Sequence, residues 1–245
     1  MSPDAQAILQ HLHAVEAERV LRPAEPGLQA KVDAIKHYQH MRFAQTYADQ
    51  MAQPRFARAT LFFLEELYGP HDFAQRDAQF ARIVPALVRL FPSDIVSTVR
   101  GLAELHALSE VLDTAMARAL PAVPVVSASY LQAWQQVGQR EQRMRQIALM
   151  LQIGRSLERY TKNPLLRHSL RLMRGPAQAA GLGTLQSFLE AGFDTFREMR
   201  GAEPFLQTVS ERETRLAEEL FACPSGAGAQ APDAVQAAPL LGQLP

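Results

Sequence analysis

Six ionisable residues stand on or beside helix faces that periodicity marks as apolar: Arg76, Asp77, His106 and Asp113 within the stripes, Glu66 and Glu110 at their edges. At about 100° per residue, Phe73, Phe80, Val84, Leu87 and Phe91 share one helix face, and Arg76 and Asp77 both fall on that apolar stripe. In the preceding segment the stripe is Phe56, Thr60, Phe63 and Leu67, with Glu66 at its edge. A Gly69-Pro70 turn folds these two segments back on each other, so Glu66 and Arg76 are expected partners. A carboxylate and a guanidinium can pair through two parallel hydrogen bonds, the geometry that best offsets desolvation. A third stripe (Ile95, Val99, Leu102, Leu105, Leu112, Met116, Leu120) takes in His106, Ser109 and Asp113, with Glu110 on its margin. The spacing therefore predicts one polar layer shared by three successive helices.

Such a layer has two readings. It can be a hydrogen-bonded ion-pair network that fixes helix register, and this is the preferred reading. It can also be a site, because carboxylates with a histidine can bind a metal or move protons on a small ligand. Perturbed ionisable groups concentrate at functional sites, so the six residues are the candidate ligand-binding set. No catalytic residue and no cofactor is assigned. Di-iron bundles use two Glu-x-x-His pairs with two further glutamates. This chain has Glu104-Leu-His106 and no Glu-x-x-His, and arginine within the layer disfavours a cation, so no metal ligands are expected.

Other groups carry less. His37 and His40 lie one turn apart, a spacing that can ligate haem or metal, but no third ligand accompanies them and surface or capping roles are expected. His168 is isolated, and Cys223 lacks a neighbouring base. Phosphate-loop, dinucleotide, nucleophile-elbow and zinc-protease motifs are absent. Between Arg140 and Arg174 lie nine cations against only Glu141 and Glu158. That block could face phosphates or an acidic partner. Because the rest of the chain is correspondingly acidic, pairing within the molecule is expected, and nucleic acid is not the anticipated partner.

The elements that must position these residues are helical. Of 245 residues, 47% are hydrophobic and 20% charged, with 25 basic and 25 acidic side chains, ordinary values for a globular protein that say nothing about a partner. One cysteine precludes an internal disulfide and suits a reducing compartment. No leader-like N-terminus and no run of ~18 apolar residues is seen, so a cytoplasmic protein without membrane spans is expected. Proline and glycine punctuation divides the chain into helices near 4–21, 28–52, 54–69, 72–91, 93–120, 127–160, 164–175, 182–200 and 204–222. Asp72 and Gln75 form an expected capping box. Pro85 is expected to bend its helix, and Gly138 and Gly154 are weak points of theirs. Gly192 in an apolar stripe suggests close helix approach. The expectation is all-α: a bundle of about eight or nine helices over residues 1–222, with a disordered tail over 223–245.

Tyr47-Ala-Asp49, Phe62-Phe-Leu-Glu-Glu-Leu-Tyr-Gly69, Arg76-Asp77, Leu105-His-Ala-Leu-Ser-Glu110 and Leu189-Glu-Ala-Gly-Phe193 together resemble an uncharacterised bacterial all-helical family, over about residues 35–222. The resemblance implies an all-helical fold and no particular activity, and it carries over no site residue. A non-catalytic binding or interaction protein, with a protein or small-molecule partner, is the first expectation. A helical enzyme or small-ligand- or metal-binding protein using the polar layer is the second, and a phosphate or nucleic-acid binder using the arginine block the third.

Overall fold

The computed structural model describes residues 2–66, 69, 73–223 and 240–245. Among them are twelve α-helices and no strand, and ten of the helices have seven or more residues. In chain order they are α1 (Pro3–Leu21), α2 (Leu28–Thr46), α3 (Ala48–Met51), α4 (Ala57–Glu66), α5 (Ala74–Leu90) and α6 (Ser93–Ala119). There follow α7 (Ser127–Val137), α8 (Arg140–Thr161), α9 (Pro164–Leu172), α10 (Arg174–Ala179), α11 (Gly183–Glu198) and α12 (Glu203–Ala222).

Several boundaries follow from local chemistry. Ser2 accepts from the Ala5 amide and Asn163 from the Leu165 amide, and each cap is followed by a proline whose missing N–H would have had no partner there. The expected helix 127–160 divides at Gly138, whose φ of 62° is a conformation glycine tolerates, and Gln139 continues the break. At Gly154 α8 runs on unbroken. A Cβ there would stand 2.5 Å from Leu206 Cδ2, so its role is to let α12 approach. Gly192 likewise admits the Phe62 ring, with 3.2 Å from a built Cβ to Cζ.

Other expectations are corrected. The helix expected over 28–52 breaks at Tyr47, a residue without helical dihedrals. Pro54 stands in the turn before α4 rather than inside it. Gly175-Pro176 falls in the first turn of α10 instead of ending α9. Phe91, expected on the buried stripe, is the extended residue after α5 and is 47% exposed. Leu67 and Asp72, hence the expected capping box, lie outside the described residues. Of the segment expected as tail, residues 240–245 are described: they include a 3-10 turn (Leu241–Gln243), Leu240 and Leu241 are buried with α2, α7 and α12, and the Pro245 carbonyl accepts from Tyr38 and Ser127.

The centre of the bundle is α6, which packs against α1, α2, α5, α7 and α8. Apolar packing is concentrated around it. One cluster joins α2, α4, α8, α11 and α12, another α2, α7 and α12, and a third α1 and α5. None of the helices formed by described residues is long and apolar enough to cross a membrane.

Candidate functional site

The polar layer is not packed solid. A cavity of about 210 Å3 runs beside α6, and Glu66, Arg76, Asp77, His106, Glu110 and Asp113 all line it. Its α6 wall extends from Val99 to Asp113, about 21 Å at 1.5 Å per residue. That volume drawn out over that length makes a channel, with α5 and α11 flanking one end and α2, α7, α8 and α12 the other.

Midway along the channel, Arg76 Nη1 donates to Glu66 Oε2 at 3.0 Å, the expected pairing. The guanidinium also lies over two rings, 3.9 Å from the Phe73 centroid and 4.6 Å from that of Phe188. Such contacts add to the stabilisation of a desolvated cation, whose Nε also stands 3.8 Å from Asp77 Oδ1. Asp77 Oδ2 is shared by Arg19, at 2.6 Å, and His106 Nε2, at 2.8 Å. Burial works to raise the Asp77 carboxyl, yet the hydrogen bonds from His106 and Arg19 hold it below the ordinary carboxylate range.

Further along α6, Glu110 receives Arg22 on one oxygen and Lys36 on the other, both at 2.6 Å. The Arg22 and Glu110 side chains are 2% and 4% exposed, so the pair is desolvated. Further hydrogen bonds hold it: Arg22 also donates to Thr114 Oγ1 and to the Glu110 carbonyl. Against the upward pull of burial, Lys36 and Arg22 keep the Glu110 carboxyl low. Asp113 behaves oppositely. It accepts from Gln39 at 3.0 Å, but burial outweighs Lys36 and Arg143 and raises its carboxyl. Tyr130, fully enclosed beside it, is pushed up by burial and remains a neutral phenol.

All six expected residues thus meet, and periodicity in other helices pointed to more. Gln39 and Arg42 continue the buried stripe of Leu28, Val32 and Ile35 in α2, and Glu213 interrupts that of Phe205, Val209, Leu216 and Leu220 in α12. Arg42 meets Glu213 at 2.6 Å, and Tyr47 donates to the same oxygen. Arg143, on the buried face of α8, lies 4.1 Å from the centroid of Trp134. Arg22 sits in the 3-10 turn after α1, where no period reveals it.

The remaining candidates disperse. His37 is exposed and His40 half-buried on α2. Among the described residues no group of three His, Cys, Asp or Glu side chains could hold a metal ion. Within the arginine block, Arg145 pairs with Glu104, Arg155 with Glu203, Lys162 with Glu158, Arg167 with Asp194 and Arg174 with Glu190. Arg143 is interior. The basic run is therefore largely matched by acids of the same molecule.

Fold and site together define an all-helical bundle protein with an elongated, charged internal channel. Residues 18–226 match the family described as Domain of unknown function (DUF8198), and the chain belongs to it. Comparison with curated proteins and with solved structures finds no match.

Proposed function

We propose that this is a non-catalytic small-molecule-binding protein whose ligand occupies the channel along α6. One observation carries the reading: the charged layer borders a cavity of about 210 Å3 where a purely structural network would be filled by its own side chains. Ligand sites are typically apolar concavities with a few convergent polar groups. Phe80, Ile83, Leu87 and Leu102 beside Asp77, His106 and Gln39 fit that composition. A cytoplasmic setting, suited to lone Cys223, and a bacterial lineage are part of the same proposal.

The test is a thermal-shift screen of the purified full chain against a metabolite library, with native mass spectrometry for co-purified compounds. The expected result is at least one compound that raises Tm in the wild type and does so less in Val99→Phe, which narrows the channel. No shift and no bound mass across the library would defeat the reading.

The Asp77–His106 contact of 2.8 Å favours a second reading, in which His106, oriented by the carboxylate, acts as acid or base on the bound molecule. Conversion of a bound compound that stops in His106→Gln would support it.

A further inference from the structure

The ionisable groups of the channel wall are already engaged inside the protein. Glu66 holds Arg76, Glu213 holds Arg42 and the Tyr47 hydroxyl, and Glu110 holds Lys36 and Arg22. Asp77 takes Arg19 and His106, Asp113 accepts from Gln39, and Arg143 donates to Gln146 and lies over Trp134. A charged ligand has to strip a partner from one of these groups. An anion draws a guanidinium from its carboxylate, and a cation does the reverse. Taking one member of a desolvated pair leaves the other uncompensated, which is strongly unfavourable. An uncharged ligand disturbs none of the pairs.

The uncharged part of the wall is graded along its length. Between α5, α6 and α11 it is Phe80, Ile83, Leu87, Val99, Leu102 and Leu189, all apolar. Towards α2, α7 and α8, Gln39, Ser109, Tyr130 and Gln146 supply neutral hydrogen-bonding groups. An apolar cavity of ~150 Å3 holds benzene, so about 210 Å3 has room for roughly eight or nine heavy atoms.

We propose that the channel takes an uncharged, elongated amphiphile, whose one polar group (a hydroxyl or an amide) bonds among Gln39, Ser109, Tyr130 and Gln146 while its apolar chain runs between α5, α6 and α11. This deepens the ligand-binding reading and rests on it.

Trp134, the chain's single tryptophan, lines the polar end and reports occupancy by its emission. The test titrates the wild-type full chain at pH 7 with octanol, octanamide, octanoate and octylamine, and then with shorter alcohols. Octanol and octanamide are expected to bind with a change in Trp134 emission, and octanoate and octylamine each at least about tenfold more weakly. Each methylene removed from the alcohol is expected to weaken binding roughly fourfold. Gln146→Lys, at a half-buried position, adds a cation beside the polar end. It is expected to raise the octanoate-to-octanol affinity ratio about tenfold and to lower that of octylamine to octanol. An unchanged ratio in that variant overturns the placement of the polar group. Octanoate or octylamine binding the wild type as tightly as octanol overturns the uncharged ligand, and this series decides the matter should the variant fail to fold. Silence of all four compounds overturns the amphiphile, and a hit in the metabolite screen would then leave the broader ligand-binding reading standing.

Discussion

Asp113 and Glu110 sit three residues apart on one helix and are treated oppositely by their surroundings. Two cations hold the Glu110 carboxyl low, whereas Asp113, with Gln39 as its hydrogen-bond donor, is dominated by burial. The sign for Asp113 follows from linkage. Its folded-state proton affinity exceeds the unfolded one, so its stabilising contribution is complete below the unfolded value near 3.8 and is lost as pH rises through the raised folded value. An asparagine side chain in its place imitates the protonated acid, keeps an acceptor for Gln39 and does not titrate. In Asp113→Asn, denaturant unfolding is expected to show equal stability to wild type near pH 4 and higher stability at pH 7–8. Glu110, Lys36 and Arg143 are unchanged in the comparison. A difference that shrinks or reverses as pH rises would show that Asp113 is held ionised. The residue scale was also where the sequence was most legible. Arg76, Asp77, His106 and Asp113 each occupy a stripe position where an apolar side chain would be the default, and Glu66 and Glu110 stand at stripe edges, which located the layer without any structure. Arg42, Arg143 and Glu213 obey the same period and were open to the same reading. Arg22 was not, because it lies in a turn and its burial is decided by α6, 88 positions away.

At the scale of elements, glycine has two distinct uses in α7 and α8. Gly138 separates them through its positive φ, whereas Gly154 keeps helical dihedrals and makes room for the fully buried Leu206 of α12. Sequence alone treats both as weak points, because helix propensity records only the entropy of the missing side chain. In Gly154→Ala the gain in propensity, about 1 kcal/mol, opposes overpacking that typically costs about 1–3 kcal/mol. A net loss of roughly 1 kcal/mol is expected in urea unfolding. A stabilised variant would mean that Leu206 yields freely and that the α8–α12 contact is loose. The division after Leu172 was legible from Gly175-Pro176 to within three residues, whereas the one at Tyr47 was illegible for a related reason. No proline or glycine stands at Tyr47, and only its non-helical dihedrals end α2 there.

For the whole molecule, the all-helical class was legible from punctuation and 3.6-residue periodicity, but the void was not. Phe73, Phe80 and Leu87 satisfy the apolar period as core residues would, yet they remain partly accessible because they face the channel. Periodicity states which face turns inward and is silent on whether that face is filled. The cavity is therefore the central claim, and equilibrium unfolding of Val99→Phe measures it most directly. Phenylalanine at this position would project into the apolar end of the channel. Stability within about 0.5 kcal/mol of wild type is expected, since the added ring occupies existing space. A loss of about 1–3 kcal/mol, the usual consequence of overfilling a dense interior, would contradict an open channel along α6.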